Sequence, residues 1–220
     1  MDQDERVVFV VDDDPSVRKS VARLLRVAGF RTETFVSAVD FLERDRDSIG
    51  GCVVLDMHLP ELSGLDAQVK LAESQPLLPI VFISGYGDVP TSVQAMKAGA
   101  VDFLSKPFSA EDLLGAVREA FARNARERSS RCEMDEIRER LAALTPREYD
   151  VFREVVTGQL NKQVAATLGI REKTVKVHRA RVMQKMSAAS LADLVRMAER
   201  ANTGSDALRG GSPVSEECRP

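Results

Sequence analysis

Strand-like and helix-like segments alternate over about the first 120 residues of the chain. Mainly apolar runs at Val7–Val11, Val53–Leu55, Pro79–Ile83 and Val101–Leu104 indicate strands that are buried within a sheet. The more polar Arg31–Phe35 is predicted to be a fifth, short strand. Apolar residues between these runs recur at three- and four-residue steps, as expected of amphipathic helices. The alternation predicts an α/β domain: a doubly wound, five-stranded parallel sheet with helices on both faces.

Only helical segments are predicted beyond residue 144. The first begins at a capping box, with Thr145 as the N-cap and Glu148 as its third residue, and ends at Gly158. Its predicted buried face consists of Tyr149, Phe152, Val155 and Val156. Helices at Asn161–Leu168 and Arg171–Met186 are joined by a tight turn, and a fourth covers Ser190–Ala201. The third helix carries Lys173, Lys176, Arg179, Arg181 and Lys185. A glycine turn followed by a basic helix favours an all-α helix-turn-helix domain that binds DNA.

The segment that joins the two halves has two interpretations. It contains good helix formers, which favours a long connecting helix, one that could pair with itself as a short coiled coil. The alternative is a flexible charged linker that is interrupted at Ser129-Ser130. We predict the helix, and therefore a first domain at 1–122, a helical linker at 123–143 and a DNA-binding domain at 144–201. Gly, Ser, Pro and charged residues predict a disordered tail at 202–220.

Charge separates the two halves, although the net charge of the whole chain is only −3. Residues 1–125 include 20 acidic and 13 basic residues, whereas residues 145–200 include 6 acidic and 11 basic ones. The basic second half favours nucleic acid as its partner. No apolar run approaches the roughly 18 residues of a membrane span, and the charged N-terminus predicts no signal peptide. Cys52, Cys132 and Cys218 are too scattered for a disulfide framework or a metal site, which favours a reducing cytoplasm.

Polar residues follow four of the predicted strands. Asp12 and Asp13 follow the first, Asp56 the third, Ser84 the fourth and Lys106 the fifth. The carboxyl ends of parallel strands share one edge of a sheet, so these side chains are expected to converge. Asp56 alone could be an ordinary turn residue, but three carboxylates with a hydroxyl and a lysine suit phosphoryl transfer to a carboxylate. Asp12 and Asp13 are candidate ligands of a hard cation, and Asp14 is the expected helix N-cap.

These residues, with Lys106-Pro107-Phe108, resemble the receiver domain of bacterial two-component response regulators, which has a flavodoxin-like fold. The stretches from Ser84 to Pro90 and from Ala95 to Leu104 resemble the FixJ branch. The resemblance covers about the first 120 residues. It implies that Asp56 is the phosphoacceptor, that a histidine kinase is the phosphodonor and that Lys106-Pro107 is a cis peptide.

The resemblance also implies a metal site and a switch. Mg²⁺ or Mn²⁺ would be held by Asp13, Asp56 and the backbone carbonyl of His58, with Asp12 acting through water. Phosphorylation would draw the Ser84 hydroxyl toward the phosphoryl group and let the Phe103 ring rotate. The helix at 89–98 and the adjoining strand would form the readout surface. His58 and Tyr86, each two positions after a site residue, would tune the lifetime of the phosphoryl group.

The second half resembles the LuxR/NarL-type output domain. The matching residues are Leu144 to Glu148, Asn161-Lys162, Ala165, Leu168 to Ile170, and Thr174 to His178. The resemblance implies that Lys176, Val177 and Ala180 face the major groove, and that Val175, Val182 and Met186 are core. The residues nearer the DNA backbone would be Lys162, Thr174, His178 and Arg179. Met186-Ser187-Ala188 departs from the Leu-Gly-Val that is frequent there. Leu191, Leu194, Val195 and Ala198 form a candidate dimerisation stripe, although an ordinary core face is the alternative.

Together these features predict a transcription factor whose homodimerisation and operator binding are promoted by phosphorylation, with RNA polymerase as a further candidate partner. Two other classes of protein fit the sequence less well. A small-molecule phosphatase would need a substrate pocket and a further catalytic constellation, which the sequence does not present. An adaptor that has lost either activity disagrees with the complete set of receiver residues.

Overall fold

The computed structural model describes residues 7–44, 51–74, 78–85 and 89–209, with side chains described to residue 201. The strands are β1 (Val7–Val11), β2 (Arg31–Phe35), β3 (Gly51–Asp56), β4 (Ile80–Ser84) and β5 (Asp102–Ser105). The helices that accompany them are α1 (Pro15–Val27), α2 (Ala38–Glu43), α3 (Gly64–Ser74), α4 (Val89–Lys97) and α5 (Ala110–Ala142). The remaining helices are α6 (Pro146–Val156), α7 (Asn161–Leu168), α8 (Glu172–Lys185) and α9 (Leu191–Arg209).

The five strands form one parallel sheet in the order β2-β1-β3-β4-β5, which confirms the predicted doubly wound α/β fold. Alternate strand residues point to opposite faces, so each face has its own core. Phe9, Leu55 and Phe82 lie in the core that includes residues of α2, α3 and α4. Val10 and Val54 lie in the other core, with residues of α1 and α5. Helices therefore cover both faces, and the exposed edge at the strand carboxyl ends is left for chemistry.

Local capping explains where two helices begin. The Asp14 side chain accepts a hydrogen bond from the Ser16 amide at 2.7 Å, and Pro15 occupies the first turn of α1. At α6, Thr145 Oγ1 accepts from the Glu148 amide at 3.3 Å while Glu148 Oε2 accepts from the Thr145 amide at 2.9 Å. Both predicted caps are confirmed. The Lys106–Pro107 peptide is cis, as the resemblance implied.

The joining segment is helical, since α5 is continuous from Ala110 to Ala142. The chain divides into two compact units at Ser129/Ser130. Ile137 is buried in the core of the second unit, and Leu141 packs against that core. The second part of the predicted linker therefore belongs to the helical unit. The sequence placed the boundary at Leu144 because this part of α5 is mostly charged. A few apolar positions are nevertheless enough for this packing.

The core of the helical unit contains Val175, Val182 and Met186, as expected. Phe152 and Val155 are buried in α6, but Tyr149 is 45% exposed, and Val151 is buried where the prediction had no core residue. The Tyr149 prediction was wrong because the buried stripe of α6 is centred one position away. Helix α9 ends at Arg209, beyond the predicted end at Ala201 and inside the predicted tail. No proline occurs before Pro213 to stop it, and a single internal glycine costs only about 1 kcal/mol.

The candidate dimerisation stripe is split by this core. Leu194 and Ala198 are buried within the helical unit itself, so they are not available as an exposed dimer surface. Val195 is partly buried and Leu191 is exposed. The core alternative is thus correct for half of the stripe. No helix in the part of the chain that was described is both long and apolar enough to cross a bilayer.

Candidate functional site

A cluster of three carboxylates lies at the carboxyl ends of β1 and β3. Oxygen atoms of Asp12, Asp13 and Asp56 all lie within 4.8 Å of one another. Asp12 is fully buried and Asp56 is 6% exposed, whereas Asp13 is exposed. Carboxylate oxygens in this number are hard ligands of the kind that Mg²⁺ or Mn²⁺ prefers, so the residues fit the expected cation. The predicted convergence of these three side chains is observed.

Lys106 connects the two buried carboxylates. Its Nζ donates to Asp12 Oδ2 at 2.8 Å and to Asp56 Oδ2 at 3.1 Å. Burial raises the pKa of Asp12, against the opposing effect of the Lys106 hydrogen bond. Burial alone would lower the pKa of Lys106, but its hydrogen bonds to Asp12 and Asp56 prevail and raise that pKa. The ammonium therefore stays charged, and the three carboxylates still outnumber it.

Ser84 ends β4 beside the same cluster and is fully buried. Its Oγ lies 3.4 Å from Nδ1 of His58, a contact that the sequence did not predict. The His58 amide in turn donates to Asp56 Oδ1 at 3.4 Å. His58 is exposed as a residue, although it contacts both of these buried side chains. Tyr86, which was expected to act similarly, lies outside the described residues.

Arg18 is a site residue that sequence reasoning missed. Its Nη1, on α1, donates to the backbone carbonyls of Asp12 at 2.6 Å and of Asp13 at 3.2 Å. The guanidinium thus fixes the loop that presents two of the three carboxylates and offsets part of their charge. Its position one turn after the loop, on the helix that the loop caps, was the only available signal.

Phe103 and α4, the predicted switch and readout elements, border the same core on one face of the sheet. Phe103 is partly buried against the core that includes α4. Ala95 is the one buried residue among those described in α4, while Val89, Val93 and Met96 are 70%, 45% and 43% exposed. These three lie at steps of four and three residues and therefore share one helix face. An exposed apolar stripe on a lightly anchored helix is suited to contact another protein surface.

A separate surface lies on α8 and α7 of the helical unit. Lys176, Val177 and Ala180, the predicted groove residues, are exposed on α8. Lys162 and Thr174 are also exposed, whereas His178 and Arg179 are partly buried. Arg179 Nη1 donates to Asn161 Oδ1 at 3.0 Å, which ties α8 to the start of α7. The arrangement of two helices and a left-handed Gly169 turn is that of a helix-turn-helix.

Each of the two units matches a known protein family. Residues 8–118 match the family described as the response regulator receiver domain, and residues 142–198 match bacterial regulatory proteins of the luxR family. The chain belongs to the response regulator family. It is a transcription factor of the class that combines a receiver domain with a LuxR-type DNA-binding domain, which confirms the fold and function predicted from the sequence.

Full-length relatives support the two-domain organisation. This response regulator is 46% identical over 200 residues to response regulator protein TmoT of Ectopseudomonas mendocina, covering 91% of each chain. It is 48% identical over 193 residues to nodulation protein W of Bradyrhizobium diazoefficiens, covering 88% of this chain and 85% of that protein. The solved structure of the response regulator StyR is 47% identical, with a TM-score of 0.78 over 89% of this chain and 99% of that one. Full-length FixJ from B. japonicum is 39% identical, with a TM-score of 0.56 over 90% and 97%.

Proposed function

We propose that Asp56 is the phosphoacceptor of this response regulator and that a partner histidine kinase supplies the phosphoryl group. The observation that carries the proposal is the position of its carboxylate. Asp56 Oδ2 accepts from the Lys106 ammonium at 3.1 Å, Oδ1 accepts from the His58 amide at 3.4 Å, and Asp12 and Asp13 lie beside it. Of the three clustered carboxylates, Asp56 alone ends the central strand β3 with the Ser84 hydroxyl on the neighbouring strand.

The transfer requires one bond to form and one to break. An oxygen of Asp56 attacks phosphorus, the O–P bond forms, the P–N bond to the donor histidine breaks, and the electron pair remains on the imidazole nitrogen. Lys106 and Ser84 bind phosphoryl oxygens as charge develops. Asp12, Asp13, Asp56 and the His58 carbonyl would hold Mg²⁺ or Mn²⁺, which supplies further positive charge to those oxygens. Hydrolysis slowly removes the phosphoryl group and restores the Asp56 carboxylate. The protein is therefore its own substrate and is not an enzyme that turns over a separate one.

Phosphorylation at this site would act through Ser84 and Phe103 on α4. The Ser84 hydroxyl turns toward the new phosphoryl oxygens, and the Phe103 ring, already against the α4 side of the sheet, rotates inward. The exposed Val89, Val93 and Met96 stripe then becomes a homodimer surface. Leu191 and Val195 add candidate dimer contacts in the helical unit.

The dimer would bind operator DNA through α8. Lys176, Val177 and Ala180 contact base edges in the major groove, and the DNA backbone is contacted by Lys162, Thr174, His178 and Arg179. RNA polymerase is the partner through which bound regulator would alter transcription. Cys52 and Cys132 are free thiols, which suits the bacterial cytoplasm, where both the kinase and the operator are accessible.

Acetyl phosphate tests the phosphoacceptor directly. Incubation of the full-length protein with acetyl phosphate and Mg²⁺ is expected to add one phosphoryl group by mass spectrometry, and omission of the metal should abolish the addition. Asp56→Asn keeps the shape of the side chain and should remain unmodified. Modification that persists in Asp56→Asn would assign the acceptor elsewhere.

Genomic DNA fragments test the output surface. Phosphorylated protein should retain specific fragments in a competition against bulk DNA, and Lys176→Ala should weaken this retention because a groove contact is lost. Glu172→Gln, one turn before Lys176 and paired with it at 3.4 Å, is the matched control and should not weaken retention. Unchanged retention by Lys176→Ala would contradict the placement of α8.

A further inference from the structure

Lys185, the last residue of α8, is partly buried, with 36% of its side chain exposed. Its Nζ donates to Glu148 Oε2 at 2.7 Å and to the carbonyl oxygen of Ala143 at 2.9 Å. Glu148 is only 2% exposed and lies in the first turn of α6. Two of the three ammonium donors therefore bind groups of the helical unit itself.

The groups that receive Lys185 all belong to the junction between α5 and α6. Ala143 directly follows α5, and Glu148 Oε2 also accepts from the Thr145 amide at 2.9 Å. Hydrogen bonding to Lys185, and then to the Thr145 amide, lowers the pKa of Glu148 to about 2, so the pair remains ionised near neutral pH. Arg140 of α5 donates to the carbonyl of Met186, the residue after α8, at 3.4 Å. The carboxyl end of α8 is thus held by several bonds to one short segment.

Helical geometry places Lys185 away from the groove residues. It is nine positions after Lys176, which at 3.6 residues per turn is a rotation of about 180° around the axis of α8. Ala180 lies about 40° from Lys176 around the helix axis, and Val177 lies about 100° from it, between Lys176 and Lys185. A side chain on the face opposite Lys176 cannot enter the same groove. It can, however, set the angle at which the Lys176 face is presented to the DNA. Base contacts need side chains held within about 0.5 Å of productive geometry.

We propose that Lys185 is a positioning residue for DNA recognition: by clamping the end of α8 to Glu148 and Ala143 it fixes the setting of the recognition helix without touching DNA. The inference rests on the proposed placement of α8 in the major groove. In this proposal Lys185 orients the recognition helix without contacting DNA, whereas Lys176 contacts the bases. A phosphate contact and a clamp make different predictions for salt dependence, which makes the two separable.

The experiment compares two DNA duplexes with the full-length protein. One duplex is selected by the wild-type protein from a random-sequence pool, and the other is a scrambled duplex of equal length and composition. Lys185→Met, which keeps the chain length but removes the charge, is expected to weaken binding to the selected duplex about tenfold, the value of one well-aligned base contact. Binding to the scrambled duplex, and the slope of log K against log salt concentration, should be unchanged. Lys185→Arg should restore most of the selected binding.

Two results would overturn the clamp. A slope that falls by about 0.9 in Lys185→Met identifies a lost phosphate contact. An equal loss on both duplexes, or none on either, shows that Lys185 stabilises the fold or does nothing for recognition. Glu148→Gln provides a second route, since Lys185→Met added to it should have less effect than in the wild-type protein if both act through one pair. Lys176→Ala separates the two hypotheses: if it leaves binding unchanged, the placement of α8 fails, whereas its loss of binding with a silent Lys185→Met rejects only the clamp.

Discussion

Ser187 adopts a backbone conformation that glycine favours. Its φ is +53°, in the left-handed region, directly after the end of α8. The Ser187 amide donates to the Gln184 carbonyl at 3.1 Å and the Ala188 amide donates to the Met183 carbonyl at 3.0 Å. This pair of bonds is the Schellman motif, whose left-handed position is usually glycine. The departure from the frequent Leu-Gly-Val sequence is therefore a departure at the one residue that must be left-handed.

The cost of serine here follows from its Cβ. A left-handed L-residue with a side chain is disfavoured by roughly 1–2 kcal/mol, whereas glycine is not. Replacement by glycine also increases the entropy of the unfolded chain, which offsets about 0.4–1 kcal/mol of that gain. Because Ser187 is exposed, little packing changes. Ser187→Gly is expected to raise the free energy of unfolding of the helical unit by about 1 kcal/mol.

Hydrogen exchange of the full-length protein measures this change in the helical unit itself. Amides of α8 that open only by unfolding of the unit should gain about fivefold in protection, the equivalent of about 1 kcal/mol. Ser187→Ala retains the Cβ and should stay within about 0.5 kcal/mol of wild type. Equal protection in the glycine and alanine variants, or a loss in the glycine variant, would refute the strain argument.

Three further substitutions test other local features. Leu160, the N-cap of α7, is 69% exposed and makes no side-chain capping bond, so Leu160→Ser should stabilise α7 by about 1 kcal/mol, measured as hydrogen-exchange protection. Glu148 has its pKa lowered, first by Lys185, from 4.5 to about 2, so its contribution to stability is complete above pH 4.5 and is lost as the pH falls toward 2. Glu148→Gln should flatten the pH dependence of unfolding of the helical unit in that window. A Cβ on Gly64 would lie 2.7 Å from the carbonyl oxygen of Asp56, so Gly64→Ala should cost about 1–3 kcal/mol in urea unfolding and slow phosphorylation by acetyl phosphate.

Each of these tests has its own control. Leu160→Ala cannot cap the helix, and stabilisation equal to that of the serine variant would contradict the capping argument. A Cβ on Gly115 meets nothing within 4 Å, so Gly115→Ala should not destabilise the receiver domain. If both glycine variants lose stability equally, the clash at Asp56 is not the cause. If the unfolding free energy of Glu148→Gln depends on pH as it does in the wild-type protein, other carboxylates dominate acid unfolding.

The strands and the site edge were accessible from the sequence because they depend on short-range patterns. Buried parallel strands produce continuous apolar runs, and the first polar residue after each run marks the edge. Arg31–Phe35 was placed to the residue despite its polarity, because Gly29 and the following helix limit it. The β3 prediction began at Val53 rather than Gly51, because glycine and cysteine carry little strand signal. Boundary shifts of one or two residues did not affect which side chains converge.

Tertiary partners were not accessible from the same patterns. Arg18 and Lys185 bind backbone carbonyls, and a carbonyl acceptor is present at every residue, so it leaves no mark in the sequence. The burial of Ile137 in the helical unit depends on which neighbour covers it, and a helix in this segment was also compatible with a coiled coil. Leu194 had two candidate partners, a second chain and its own core. Its complete burial within the unit decides for the core.

The two clusters in which a partly buried lysine meets buried carboxylates differ in charge balance. Lys185 faces a single carboxylate, Glu148, so the pair is neutral and needs nothing more. Lys106 faces Asp12 and Asp56 at once, with Asp13 adjacent, and one ammonium cannot neutralise three carboxylates. Asp12 and Asp56 are both buried, and two buried carboxylates beside one ammonium leave an excess of negative charge that a bound cation would relieve. The imbalance therefore favours cation binding at this edge of the sheet. The balanced pair at the end of α8 favours a structural role for Lys185.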